Sequence, residues 1–255
     1  MDTIKAVMLY TVKQHIRTKV YLIVVLFGLI LVLGAMVVSS LAVEYRIRMM
    51  LNMGLGGIEF LALIAVIFAT VNMVLEEMDS RSIYLILTHP IKKAHYLLGR
   101  YFGTLIAVGL AMLIMSFLHL LSLFIVGWGW ENAYLISIVL SFIKIMVMSS
   151  IALLFSLFST SAPTSMVFTI FLWLMGHFSE ELKFMGEKAT NIFIKIVIWV
   201  LYNITPNLSY FNYRDFWSAA NAPGIMWFVW MVLYSFFYIT ICTTISNFLF
   251  SQKEF

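Results

Sequence analysis

The sequence predicts an all-α polytopic membrane protein with six transmembrane helices in one domain spanning residues 1–255, and three observations predict it. Of the 255 residues 63% are apolar, against about 45–50% in a soluble domain, so no single aqueous core hides them. Only 11% are charged and the mean hydropathy is +1.00. The excess is bulky rather than alanine-rich, with 22 Phe, 12 Tyr, 7 Trp and 17 Met. A span takes about 20 apolar residues, so six consume roughly 120–150 and leave no room for a large aqueous domain. The net charge of +4 then bears on membrane orientation and gives no reason to expect nucleic acid as a partner. Cys242 is the one cysteine, which excludes an internal disulfide and a cysteine metal cluster.

The first 19 residues place Ile4, Met8, Val12 and Ile16 at a spacing of four, with Lys5, Lys13 and Arg17 on another flank. This is the pattern of an amphipathic helix on the inner membrane surface, either packed against a cytoplasmic partner or serving as a basic leader that orients the first span. Residues 20–43 are uncharged and longer than the core of a cleavable signal, so they are expected to be a retained anchor helix. Further spans are expected at 58–75, 99–126, 135–158, 164–178 and 224–250. The stretch 191–204 rises only about 21 Å and is too short to cross. With Asn191, Lys195 and Tyr202 near one stripe it reads as an interfacial or re-entrant helix.

Six spans put both termini on one side, and the basic residues choose which. A cytoplasmic N-terminus places nine inside, among them Lys5, Arg17, Arg81, Lys92, Lys93 and Lys253, and six outside, four of these in the long outer segment 179–223. The cytoplasmic orientation is therefore expected for both termini, in an inner (cytoplasmic) membrane.

The most informative stretch is 76–103. Glu76, Glu77 and Asp79 crowd the inner end of a span, where the helix dipole already disfavours anions. Ser80 or Ser82 can cap a short helix carrying Ile83, Tyr84, Leu85, Ile86 and Leu87, too few residues to span and too apolar to float free; Pro90 ends it. A short surface helix joined to two spans acts either as a lever for a soluble partner or as an ordinary anchored loop. Gly99, Gly103, Ala107 and Ala111 then form a smooth stripe for close helix approach. Lys144 lies deep in a span, where an unpaired Lys costs about 2.5–3.5 kcal/mol. It is expected either to join Glu59 and His119 in a polar cluster or to snorkel along its own stem. Asn207, Tyr210, Tyr213 and Trp217 suit a cap at headgroup level.

No phosphate-binding loop, zinc motif or nucleophile elbow occurs, so catalytic and metal-ligating residues are expected to be absent. Two other classes have a sequence feature apiece. EEMDSR at 76–81 matches the EExxxR pattern of CAAX-type membrane proteases, but no Phe stands four residues before any His, and Glu181 follows His177 where Asn is wanted. Glu59 and Lys144 suit an ion-coupled secondary transporter, yet no inverted repeat is visible.

The segment EMDSRSIYLILTHPIKK at 77–93, the LLGRY that follows, PNLSYFN at 206–212 and the terminal NFLFSQKEF together resemble the type-two permeases of ATP-binding-cassette transporters. The resemblance runs over nearly the whole chain, with Arg100 where the family has Lys. It implies a coupling-helix loop at 77–90 that docks on an ATPase through Glu77, Asp79, Arg81, Ile83, Tyr84, Leu85 and Leu87. The helix carrying Ile4, Met8, Val12 and Ile16 would lie beside it, and outer re-entrant helices would precede the last span. The implied partners are two ATPase subunits, which bind the ATP and Mg that this chain does not, and a second copy of the chain or a homologous permease. Export of an unspecified substrate is the implied activity.

Overall fold

The computed structural model describes residues 2–18, short stretches between 25 and 40, and 45–79, 93–159, 161–213 and 223–252, with 76–79 described in their backbone alone. The regular structure among these residues is helical: α1 Asp2–Arg17, α2 Arg46–Asp79, α3 Lys93–Ile125, α4 Asn132–Phe158, α5 Ala162–His177, α6 Ser179–Lys188, α7 Ile192–Ile204, a 3-10 turn at Ser209–Phe211, and α8 Ile225–Gln252. Four of them, α2, α3, α4 and α8, are long and apolar enough to cross a membrane. The span expected at 20–43 lies largely outside the described residues. Gly28, which is described as helical, abuts Met115 of α3 so closely that a Cβ would overlap the thioether.

The 164–178 run forms α5, whose 16 residues rise about 24 Å, short of a hydrocarbon core of about 30 Å. The 191–204 run forms the 13-residue α7. The second span begins 12 residues before its expected start, because Met50, Leu51 and Leu55 are buried with Leu123, Trp128 and Tyr134. Hydropathy hides this extension, since Asn52, Gly54, Gly56 and Gly57 dilute it. As a result α2 opposes its own dipole at both ends, with Arg46 and Arg48 in its first turn and Glu76, Glu77 and Asp79 in its last.

The α3–α4 connection is short because α3 closes in a Schellman turn. Gly127 adopts φ +88°, Gly127 N–H donates to Phe124 O at 3.0 Å and Trp128 N–H to Leu123 O at 3.1 Å. A left-handed residue there suits glycine. α4 is the hub, contacting α2, α3, α5 and α8. Its buried face combines Leu140, Ile145, Met148 and Ala152 with small Ser149, Ser150 and Ser156. The hydroxyls of Ser150 and Ser156 bond back to Val147 O and Leu153 O, both at 2.7 Å, so these small residues permit close helix approach with their own hydroxyls satisfied.

One end of the bundle gathers α1, the start of α3 and the end of α8. Lys93 Nζ donates to Ser251 O at 3.3 Å, Tyr96 stacks on Phe250 at 6.4 Å, and α1 lies along the first turns of α3. The α2 side joins them through Thr104, whose hydroxyl donates to Met73 Sδ at 3.8 Å.

Candidate intramembrane polar site

Near the middle of α4, Ser141 and Lys144 stand three residues apart and so share a helix face. Glu59 of α2 meets that face. Lys144 Nζ lies 2.5 Å from Glu59 Oε1, and the Ser141 hydroxyl donates to Glu59 Oε2 at 2.9 Å. Lys144 is 1% exposed and Glu59 4%. Two further partners arrive from the chain beyond α4. Asn212 Oδ1 accepts from Nζ at 2.7 Å, and His177 Nε2 stands 3.4 Å from it. Among the described residues Glu59, Asn212 and His177 thus each offer an acceptor to the ammonium.

The bonds also assign the imidazole. His177 Nδ1 lies 3.2 Å from Trp173 O, which only accepts, so Nδ1 carries the hydrogen. Lys144 only donates, so these two contacts are met by the tautomer that carries its hydrogen on Nδ1. The ring rests against Trp173, centroids 4.6 Å apart, and Nε2 lies 3.8 Å from Glu59 Oε1.

Local folding explains why these segments converge. α4 and α5 form a hairpin through 159–161, and α5 stops at His177, 15 residues past its start. Lys144 lies 14 residues before the end of α4, so both side chains sit about 21–23 Å from the hairpin turn. Beyond α7 the chain returns along α5: Leu208 N–H donates to Gly176 O at 3.0 Å, where a Cβ would meet Pro206 O. Ser179 and Ser209 hydroxyls both donate to Asn207 Oδ1, at 2.7 and 2.6 Å. This stitching delivers Asn212 to Lys144. The arrangement ties α2, α4, the end of α5 and the segment at Asn212 to one buried ion pair.

His119 stands elsewhere. Its Nδ1 lies 3.1 Å from Tyr134 Oη and its Nε2 3.3 Å from Met50 O, and its ring fills the space over Gly54. The depth explains the separation: His119 is six residues from the end of α3, whereas Lys144 is 12 residues into α4. His177 takes the place expected for His119. Ser141 was readable from its spacing to Lys144, but no local signal announces His177 or Asn212, which reach the site through tertiary folding alone.

The N-terminal helix forms a second polar junction. Arg100, 3% exposed, donates through Nη1 to Thr11 Oγ1 at 3.1 Å and Gln14 Oε1 at 2.7 Å, and through Nε to Tyr96 Oη at 3.1 Å. Its guanidinium lies over the Tyr10 and Tyr96 rings at 5.3 and 5.6 Å. Gly99 and Gly103 admit Val7 and Thr11. The packed register of α1 is therefore Ile4, Val7, Met8, Thr11, Gln14 and His15. Val12 is half-buried and Ile16 is 48% exposed, because Arg100 and the two glycines turn a polar edge of the helix inward. His15 Nε2 lies 3.2 Å from Thr104 Oγ1. Burial, with the Arg100 charge second, pushes its imidazole from 6.5 down to about 4.

Of the segment at 77–90, Glu77 and Asp79 belong to the last turn of α2 but their side chains lie outside the described residues. Arg81, Ile83, Tyr84, Leu85 and Leu87 lie outside them too, as do the Glu76, Glu77 and Arg81 side chains of the EExxxR pattern and Trp217 of the outer cap. No family model matches the chain, and no curated protein matches its sequence. What the helices define is the class: a multi-pass helical membrane protein.

Proposed function

We propose that this chain is the membrane subunit of an ATP-binding-cassette transporter of the type-two permease kind, lying in an inner membrane with both termini cytoplasmic. In this reading six spans, counting residues 20–43 and α5, form one half of a translocation pathway, and a second copy or a homologue forms the other half. α6, α7 and the 3-10 turn are the outer re-entrant segment. Residues 77–90 form the coupling loop. The chain itself carries out no catalysis; ATP and Mg belong to two separate ATPase subunits, and export is the favoured direction.

The observation that carries the reading is the junction at α1 and α3. A lever must be braced where it meets the membrane, and the α3 helix that follows residues 77–90 is clasped by α1 through a buried arginine and two glycines. Force delivered to Ile83 or Leu87 then moves α1 and α3 as one body. The motifs at 77–93, 206–212 and 247–255 support the same reading.

The buried Glu59–Lys144 pair favours a second reading, an ion-coupled transporter in which Glu59 carries the coupling proton. Reconstitution separates the two. As a permease subunit the chain restores transport only with a nucleotide-hydrolysing partner and ATP. As a secondary transporter it works alone under an ion gradient, and Glu59→Gln abolishes that activity.

A further inference from the structure

We infer that the cleft between α6 and α7 binds the headgroup of a zwitterionic phospholipid bearing a primary amine. The two helices form a hairpin through 189–191. α7 is apolar over most of its circumference: Ile192, Phe193, Ile196, Trp199 and Ile204 stand exposed and Ile198 is the buried member. A 13-residue helix of this kind, about 20 Å long, needs hydrocarbon against it. Its one charge, Lys195, lines a cleft of about 400 Å³ with Lys183, Glu187, Trp199 and Tyr202. A second cleft of about 350 Å³ shares Lys183, Glu187 and Tyr202 with it and adds Glu180 and Tyr210.

The charges decide the ligand. Two lysines and two glutamates, all exposed, line the two neighbouring clefts, with Lys183 and Glu187 common to both, and among the described residues none of the four is engaged in an ion pair. Both signs therefore stand open to a ligand, with no net charge to favour an anion. A phosphate fits Lys183 and Lys195, and a primary ammonium fits Glu180 and Glu187, each with charge-assisted hydrogen bonds. Tyr202, which lines both clefts, and Tyr210, which lines the second, suit the ester level of a lipid, while the exposed side of α7 and Trp199 lies where acyl chains run. An anionic headgroup without an amine would leave the two carboxylates facing its phosphate. The inference needs only that α7 lies in a bilayer, and it stands whether or not an ATPase serves the chain.

The test is native mass spectrometry of the full-length chain, stripped of lipid in detergent and titrated with phosphatidylethanolamine or phosphatidylglycerol. The wild type is expected to retain phosphatidylethanolamine in preference. Lys183→Gln and Lys195→Gln each lower that retention by about two- to fivefold, the range for a partly exposed charge pair, and Glu187→Gln narrows the preference over phosphatidylglycerol. Equal or better retention of phosphatidylglycerol by the wild type overturns the inference, as does unchanged retention in the lysine variants or a polypeptide found seated in the cleft.

Discussion

Among the described residues two buried cations, Lys144 and Arg100, organise the packing, and their described partners differ in kind. Lys144 is a point charge in the middle of α4, neutralised by the Glu59 carboxylate and finished by Asn212 and His177. Arg100 sits two helical turns after the start of α3, where its described partners include side-chain oxygens on α1 and two tyrosine rings. An ammonium in the middle of a bundle needs an opposite charge, because an unpaired ion there costs several kcal/mol. A guanidinium is more weakly hydrated and presents a planar fork of donors, so neutral oxygens and aromatic rings share in holding it. The first junction joins segments distant in sequence, and the second fastens a surface helix to a span.

The largest test of this contrast is Lys144→Met. It leaves Glu59 buried without its cation and is expected to cost about 3–5 kcal/mol, read by thermal unfolding in detergent. Combining it with Glu59→Met recovers most of that stability, since a buried pair replaced by apolar groups of like size is close to neutral. If the double variant also recovers activity, the pair serves architecture alone; if stability returns without activity, the pair takes part in transport. Arg100→Lys is expected to act more mildly, losing the fork and the ring contacts for about 1–2 kcal/mol. The expected readout is faster tryptic cleavage at Lys13 and Arg17, with global unfolding little changed. A loss as large as that of Lys144→Met would erase the distinction between the two sites.

The smallest effect is a pH dependence confined to the second site. The His15 imidazole is neutral when docked, its value lowered from 6.5 to about 4. A released α1 takes up a proton first as pH falls, so docking is at full strength above 6.5 and weakens as pH falls through about 4. Protease access of α1 is expected to rise over that window, and His15→Asn is expected to abolish the dependence.

How much of this was legible in the sequence follows from the range of the forces. The runs 99–126, 135–158 and 224–250 coincide within a few residues with α3, α4 and α8, because hydrophobic runs bounded by Gly127, Ser159 and Gly224 are local signals. The 191–204 stretch is the short α7 for the same reason. The early start of α2 was hidden, since its glycines and Asn52 lower hydropathy while tertiary contact with Leu123 and Tyr134 stabilises the helix. Lys144 demanded a partner on energetic grounds, and Glu59 was an available carboxylate. His177 and Asn212 were not legible, because they reach Lys144 only through the hairpin depth of α5 and the return of the chain past Gly176. On α1 the apolar spacing marks Ile16, which is exposed, while the edge that packs on α3 is set by Arg100, which recruits Thr11 and Gln14.

The most direct test of the central claim is purification of the chain from its native membrane in mild detergent, comparing the wild type with Ile83→Asp. The account predicts that an ATPase subunit accompanies the wild type in equal copies, hydrolyses ATP in the assembly, and is lost or uncoupled in the variant. A chain that purifies without any nucleotide-hydrolysing partner, and moves its substrate in liposomes under an ion gradient with no ATP present, would contradict it.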